Sequence, residues 1–246
     1  METFLNLARE MWMRFARLLF WKRSEARFVV ILGAPGAGKG TIASRLKERL
    51  GLPHLQTGHL IRSEIASGSA LGQELAPLVA SGQFVNDEIV MKLLRRELAG
   101  PDYVHGAILD GIPRTENQAR MLRRMLMLWG NKINRVVMLD VNIDDVLERL
   151  TLRRTCSNKS CGASYHLKFA PSSQEGICDR CGHELVARAD DKPEVIRERL
   201  RVFNETFKPL CDFYEQGKLL TRVATNNDRS VEDVLKDVIF TIEQFD

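Results

Sequence analysis

The chain contains 246 residues, of which 44% are hydrophobic and 28% charged, a composition typical of an ordinary soluble protein. Its formal net charge of +4 is too small to indicate nucleic-acid binding by itself. Five cysteines, an odd number, argue against a disulfide framework, and no secretory signal or membrane-spanning apolar run is recognisable. We therefore expect a cytoplasmic protein with one main domain and inserts.

Residues 1–27 have the three-and-four spacing of apolar side chains that is typical of an amphipathic helix. Six basic residues against three acidic residues give this segment a net charge of +3. Its apolar side could lie on an anionic membrane surface, pack on the rest of the chain or bind a partner protein. Its three acidic residues argue against a mitochondrial presequence.

Strand and helix patterns alternate after this extension. The stretch RFVVILG (27–33) predicts a buried strand, and TIASRLKERLG predicts a helix that ends at Gly51. GAILDG (106–111) and RVVMLDV (135–141) predict two more buried strands. Helices are predicted again from KPEVIRERLRVFNETFKPLCDFYEQG, where Cys211 reads as a core residue, and from SVEDVLKDVIFTIEQF. This alternation predicts an α/β protein with a parallel sheet.

A glycine-rich loop, GAPGAGKGT, joins the first predicted strand to the first predicted helix. Gly33, Gly38 and Lys39 fit the frame G-x-x-x-x-G-K. Backbone N–H groups in such a loop turn toward phosphates, the helix N-terminus adds partial positive charge, and the lysine neutralises phosphate oxygens. We therefore expect a polyphosphate ligand. Gly40 replaces the usual Ser or Thr and Thr41 follows it, so a magnesium ion needs another anchor.

Residues 152–191 interrupt the alternation and have the pattern Cys-x4-Cys-x16-Cys-x2-Cys. The four cysteines are Cys156, Cys161, Cys178 and Cys181. They predict a closed structural zinc site, with His166 and His183 as substitute ligands and metal-free reduced thiols as the alternative. Gly162 and Gly182 suit tight turns after the second cysteine of each pair. A segment of about forty residues buries too little apolar surface to hold itself together, so a metal is a physically reasonable staple.

The motif GAPGAGKGT, taken with TGHLIR, LDGIPRTENQ and an insert that ends in ARADD, resembles the adenylate kinases, specifically the long form with a zinc-type lid. The resemblance covers about residues 28–246. It implies a P-loop NTPase-like core with a parallel sheet, a helical monophosphate-binding insert and a small zinc-bearing lid. It also implies the reaction ATP + AMP ⇌ 2 ADP, magnesium with ATP, structural zinc in the lid, and a monomer. The implied segments are 1–27 extension, 28–57 core, 58–86 monophosphate-binding, 87–151 core, 152–191 lid and 192–246 core.

The resemblance also implies roles for individual residues. The residues implied on the ATP side are Gly33, Ala34, Pro35, Gly36, Ala37, Gly38, Lys39, Gly40, Thr41, Arg149 and Arg153. Those on the AMP side are Thr57, Arg62, Val85, Gly111, Arg114, Gln118, Arg188 and Arg199. The catalytic set is Lys39, Asp110, Arg114, Arg153, Arg188 and Arg199, with Arg197 a further candidate.

Asp110 ends an apolar strand at its carboxyl end, where open α/β sheets bind ligands, and the resemblance implies that it lies in the magnesium-water shell. Arginines suit this chemistry because phosphoryl transfer needs positive charge along the transferred group. No general base is needed, because the AMP phosphate is already largely ionised at neutral pH.

Two positions depart from the family pattern. His59 stands where the family usually has aspartate, which removes a carboxylate near the metal and the monophosphate. Leu152 replaces a glycine before Arg153, which is expected to stiffen the lid hinge.

Two other functions are alternatives to adenylate kinase activity. One is a kinase of GMP, UMP or CMP on the same scaffold. The other is a P-loop ATPase with a nucleic-acid-binding zinc ribbon, which is disfavoured because the basic residues of the insert are scattered among acidic ones and only Tyr165 and Phe169 are candidates for base stacking.

Overall fold

A five-stranded parallel sheet forms the centre of the molecule, with strand order β2-β3-β1-β4-β8. A computed structural model describes residues 26–83, 85–158, 161–226 and 229–244. Nearly all of the predicted N-terminal amphipathic helix, residues 1–25, lies outside the described residues. The five strands are β1 (Arg27–Gly33), β2 (His54–Gln56), β3 (Gly106–Asp110), β4 (Ile133–Asp140) and β8 (Leu220–Ala224).

The central strands are continuous apolar runs because both faces of the sheet are covered. Alternate residues of β1 enter two different cores: Val30 packs in one and Val29 in the other, and both are fully buried. The three strands predicted from the sequence are confirmed. β1 begins at Arg27, one residue before the boundary assigned to the core. The pairing of Ile31 with Asp110 places the end of β3 beside the start of the glycine-rich loop.

Helices cover both faces of the sheet. On one side they include α4, α5 and α7, which contribute the buried residues Leu94, Leu122 and Leu210 to the first core. On the other side α1 and α8 contribute Leu46 and Val238 to the second core. The helices are α1 (Lys39–Leu50), α2 (Thr57–Ala66), α3 (Ala70–Ala80), α4 (Asp87–Leu98), α5 (Glu116–Leu128), α6 (Ile143–Thr151), α7 (Pro193–Gln216) and α8 (Val231–Glu243).

We call the predicted insert, residues 152–191, the lid. It contains a second, antiparallel sheet of order β6-β5-β7, formed by β5 (Arg153–Cys156), β6 (Ser164–His166) and β7 (Leu185–Val186). Its small core consists of Cys156, Ala163, Cys178 and Leu185. Among the helices of the described ranges, none combines the length and apolar character needed to cross a lipid bilayer.

Candidate active site

The glycine-rich loop curls around the side chain of Lys39. Gly36 and Gly38 adopt φ values of +81° and +86°, which glycine reaches without strain. The Lys39 ammonium donates hydrogen bonds of 2.8 Å to the carbonyl oxygens of Gly33 and Ala34. Burial lowers the pKa of Lys39 to about 7; Asp110 opposes this shift, whereas nearby arginines reinforce it. Additional negative charge in the loop, such as that of a polyphosphate, would restore the charged lysine.

Asp110 lies at the carboxyl end of β3, buried to 2% exposure. Its Oδ2 accepts a hydrogen bond of 3.0 Å from Gln56 Nε2 and lies 3.1 Å from His54 Nε2. Burial alone would raise the pKa of Asp110, but the bond to His54 and the charge of Lys39 outweigh it and hold the pKa below its usual value. The group is therefore a fixed, buried carboxylate at the edge of the sheet.

The space around Gly40 explains why this position has no side chain. A β-carbon placed on Gly40 would lie 3.2 Å from Gln56 Nε2 and 3.5 Å from Asp110 Oδ2. A serine or threonine in this position would therefore crowd the pair formed by Gln56 and Asp110. Gly40 leaves space between the start of α1 and the carboxylate.

Arginines from four parts of the chain converge on the same region. Arg114 follows β3, Arg153 begins β5, Arg188 follows β7, and Arg199 lies on α7. Burial, followed by the charge of Arg199, lowers the pKa of Arg114 to about 10. Burial and the charges of Arg153 and Arg62 lower that of Arg188 to about 9. The shifts show an excess of buried positive charge that favours an anionic ligand.

Two neighbouring carboxylates position the arginines of the lid and α7. Arg153 grips Asp191 with both Nε, at 2.8 Å, and Nη2. Arg199 Nη1 donates to Asp190 Oδ2 at 3.1 Å and contacts Asp191 Oδ1 at 3.4 Å. Arg188 is oriented separately, through a 2.7 Å bond from its Nε to Thr155 Oγ1. A bidentate guanidinium–carboxylate pair fixes the plane of the guanidinium, so Arg153 is held in one orientation.

A second group of polar side chains comes from α2 and from the start of α5. The Thr57 hydroxyl donates to the carbonyl of Asp110 at 3.4 Å, and Arg62 Nη2 donates to Gln56 Oε1 at 3.4 Å. Gln118 is buried; its amide nitrogen donates to Asp87 Oδ1 at 2.7 Å and its oxygen accepts from the backbone of Arg114 at 2.7 Å. These bonds fix the amide orientation of Gln118.

A single cavity of about 760 Å³ connects the two groups. Its size suits nucleotide-sized ligands. Of the residues predicted to bind nucleotides, all line this cavity except Ala34, whose carbonyl instead accepts from Lys39. Arg197, the further candidate, is exposed on the surface of α7. The structure thus brings the predicted residues together, while their individual roles stay predictions.

The four lid cysteines form a separate cluster outside the cavity. Their sulfur atoms all lie within 4.8 Å of one another, and two pairs are 3.3 and 3.7 Å apart. A tetrahedral site with Zn–S bonds of about 2.3 Å has S–S edges of about 3.8 Å, so the cluster fits zinc. Gly162 and Gly182 adopt φ values of +60° and +71° in the two turns.

The two histidines considered as substitute ligands have other partners. His166 Nδ1 accepts from the backbone N–H groups of Lys168 and Phe169, and His183 Nδ1 lies 3.0 Å from the carbonyl of Cys181. The potential metal cluster within the described ranges contains sulfur ligands alone.

Comparison with known proteins identifies the family. Residues 31–219, well over half of the chain, match the family model described as adenylate kinase. The chain belongs to the adenylate kinase family. It is 41% identical to the adenylate kinases of Archaeoglobus fulgidus and Thermodesulfovibrio yellowstonii over 216 residues, which cover 88% of this chain and 98% and 99% of those relatives. It is also 41% identical to the adenylate kinase of Caldicellulosiruptor saccharolyticus over 212 residues, covering 86% of this chain and 96% of that relative.

Several residues of this adenylate kinase site were missed by the sequence reasoning. His54 and Gln56 hold Asp110, Asp190 and Asp191 hold the arginines, and Thr225 accepts a 2.6 Å bond from Arg149 through its carbonyl. A usable signal existed for the two aspartates, because adjacent acids in ARADD lie close to several arginines in the sequence. No comparable local signal marks His54 or Thr225.

Proposed function

We propose that this adenylate kinase transfers the γ-phosphoryl group of ATP to AMP, reversibly, in a reaction that requires magnesium and gives two molecules of ADP. The observation that carries the proposal is the convergence of Lys39, Asp110 and arginines from four parts of the chain on one cavity. Such a site places positive charge around a transferred phosphoryl group and supplies little covalent chemistry, as this reaction needs.

ATP binds on the side of the cavity formed by the glycine-rich loop and the lid. Backbone N–H groups of the loop face the phosphates, and the Lys39 ammonium leaves its two carbonyl partners for the phosphate oxygens. Arg149, bonded to the carbonyl of Thr225, offers its guanidinium plane for stacking on the adenine. Arg153, oriented by Asp191, reaches the phosphates from the lid.

AMP binds on the opposite side, against α2 and the start of α5. Thr57 and Arg62 contact its sugar and phosphate, and Gln118 hydrogen-bonds its base. Arg114 grips the phosphate, with its Nε anchored 2.9 Å from the carbonyl of Gly111. Val85 and Gly111 complete the wall on this side. Asp87 and the backbone of Arg114 fix the amide of Gln118 and leave it one N–H group and one oxygen lone pair, through which it distinguishes adenine from other bases.

Catalysis follows from positioning and charge. Arg114, Arg188 and Arg199 surround the path between the two phosphates. Burial, and then the charges of neighbouring arginines, lower their pKa values, and the negative charge of the transferred group offsets this repulsion. Asp110 is the anchor for magnesium-bound water, since its carboxylate is buried, ionised and beside the loop. A magnesium ion held there would supply positive charge that neutralises the phosphate oxygens.

Zinc in the lid has a structural role in this proposal. Four thiolates leave no open coordination position for substrate. The cluster holds the lid as one rigid unit that moves over ATP and excludes water, which limits hydrolysis. The proposal divides the chain as the resemblance implies, with residues 58–86 as the monophosphate-binding segment and the lid as the moving segment.

The proposal extends to setting and partners. We expect a cytoplasmic monomer whose ligands are ATP, AMP and ADP, without a nucleic-acid partner. The basic, amphipathic pattern of residues 1–27 favours a peripheral contact with an anionic membrane or a protein, and phosphoryl transfer does not depend on it.

Initial rates with ATP, magnesium and a panel of AMP, GMP, UMP and CMP test the proposal. AMP should be the preferred acceptor, and omission of magnesium should abolish transfer. Arg114→Ala should lower kcat/KM strongly, whereas Arg124→Ala, on the exposed side of α5, should leave it unchanged. Preference for another monophosphate would overturn the acceptor assignment, and equal effects of the two variants would overturn the site.

A further inference from the structure

The lid contacts α2 through two residues that do not line the cavity. His59 is the third residue of α2, and its ring lies against Gly162 in the turn that follows Cys161. A β-carbon placed on Gly162 would lie 3.3 Å from His59 Nδ1 and 3.4 Å from Cε1. Gly162 therefore serves twice: its φ of +60° forms the turn, and its missing side chain admits the imidazole.

The two segments that meet at this contact face different substrates. α2 carries Thr57 and Arg62, which are assigned to AMP, whereas the lid carries Arg153, which is assigned to ATP, beside Arg188, which is assigned to AMP. His59 itself is not one of the residues that line the cavity in the described ranges. The contact joins the two sides of the site without being part of either.

The contact is made by a neutral ring. His59 is partly buried, and this burial, followed by the charge of Arg62, lowers its pKa below the usual value for histidine. Arg188 and His54 act in the same direction, and Glu97 opposes them. Because Gly162 has no side chain, its interaction with His59 is packing of an imidazole on a backbone turn.

A second contact attaches the lid to a different part of the core. Arg180 Nη2 donates a 3.0 Å hydrogen bond to Ser44 Oγ on α1, the helix that follows the glycine-rich loop. This bond does not involve α2. It provides a matched comparison, because its loss weakens attachment of the lid without removing the connection to the AMP side.

We propose that His59 is a positioning residue that couples the two substrate sites, so that closure of the lid over ATP holds α2 in its AMP-binding position. This inference rests on the proposed function. Coupling between two ligands is reciprocal, so AMP should strengthen ATP binding by the same factor as ATP strengthens AMP binding. His59 acts through Thr57 and Arg62 and does not touch the reacting atoms.

Calorimetric titration of the full-length, zinc-loaded chain tests the coupling. AMP is titrated with and without a saturating magnesium complex of a non-hydrolysable ATP analogue. In the unmodified chain the analogue should tighten AMP binding by about fivefold or more. His59→Ala should bring this ratio close to one while the affinity for AMP alone stays within about twofold, and kinetically it should raise KM for AMP more than it lowers kcat. His59→Phe, which keeps a planar ring, should retain most of the ratio.

The control and the contradicting results are distinct. Arg180→Ala should weaken binding of the analogue but keep the ratio once the analogue is saturating. A ratio of one in the unmodified chain, or a full ratio in His59→Ala, would overturn the coupling role. Should His59→Ala fold poorly, His59→Asn shortens the side chain and supplies the same test. Failure of the unmodified enzyme to transfer phosphoryl groups to AMP would overturn the proposed function instead, and that measurement needs no variant.

Discussion

The core and the lid hold their shapes by different means. In the core, strand residues such as Val29, Leu109 and Val137 are fully buried between helices on both faces of the sheet. In the described part of the lid, the buried apolar set consists of two cysteines, Ala163 and Leu185. Apolar burial therefore stabilises the core, whereas the small apolar set of the lid leaves a stabilising role for the zinc ion that we propose. Of the residues predicted to be catalytic, Lys39, Asp110 and Arg114 lie in the first region, and Arg153 and Arg188 lie in the second.

Removal of zinc should produce the largest difference between the two regions. Structural zinc contributes an apparent 10–16 kcal/mol, roughly, to small zinc-dependent domains. Chelation should therefore unfold the lid and leave the sheet intact. Hydrogen exchange followed by mass spectrometry should show loss of protection in residues 152–191 and little change in β1, β3 and β4.

A control variant sharpens this test. Cys178→Ser should reproduce the effect of the chelator, whereas Cys211→Ser changes a buried cysteine of α7 and should not release the lid. Elemental analysis of the unmodified protein should find one zinc ion per chain. Protection of the lid that survives complete chelation would contradict the role assigned to the metal.

Lys39→Met tests the core side of the comparison through activity. The substitution removes the ammonium that faces the phosphates, and loss of a comparable charge-stabilising donor costs about 3–4 kcal/mol of transition-state stabilisation. We expect kcat/KM to fall by about 10²–10³-fold with the fold unchanged. Lys47→Met, on the exposed side of α1, is the matched control and should keep normal kinetics. Near-normal turnover by Lys39→Met would remove the loop from the proposed mechanism.

A pair of leucine substitutions compares the packing of the two regions. Leu109 is fully buried in β3, and Leu109→Ala should lower the free energy of unfolding of the core by about 3 kcal/mol. Leu185 lies in the small core of the lid, and Leu185→Ala should affect lid opening while leaving the main unfolding transition nearly unchanged. Urea denaturation gives the first quantity and hydrogen exchange the second. Equal shifts of the main transition would show that core and lid unfold together.

Per pH unit, the smallest predicted effect is a pH dependence of stability. Because the pKa of Lys39 falls from 10.5 in the unfolded chain to about 7 in the fold, the unfolded state binds more protons between these values. The free energy of unfolding should therefore rise with pH in this window, relative to Lys39→Met, by at most about 1.4 kcal/mol per pH unit. Denaturation at pH 6, 7.5 and 9 measures it. A difference that is independent of pH would show that Lys39 stays charged in the nucleotide-free protein.

The sequence predicted the elements better than the contacts between them. Continuous apolar runs and the glycines that bound them predicted β1, β3 and β4, and hence the place of Asp110 at a strand end. The partners of Asp110 were not predictable in this way. His54 and Gln56 lie 56 and 54 residues away, and they meet Asp110 because β2 pairs with β3. Periodicity reports how a segment is buried, but not which segment lies beside it.

In the lid, too, local features were predicted from the sequence and contacts with distant residues were not. Cysteine spacing predicted a four-sulfur cluster, since paired ligands at short spacings are a local signal. The spacing did not exclude His166 or His183 as ligands. In the structure, the Nδ1 atoms of both histidines contact backbone groups. The contact of His59 with Gly162 joins positions 103 residues apart by number and required the assembled fold.

Calorimetric titration of AMP and of an ATP analogue, each into zinc-loaded and chelated protein, tests the central claim most directly. Most residues assigned to AMP lie in the core and in residues 58–86, with Arg188 the one lid residue among them, whereas those assigned to ATP lie in the core and the lid. This division predicts that chelation leaves the Kd for AMP alone within about twofold and weakens that for the analogue by about tenfold or more, because the ordered lid arginines are lost. Loss of both affinities together, or an unchanged affinity for the analogue, would contradict it.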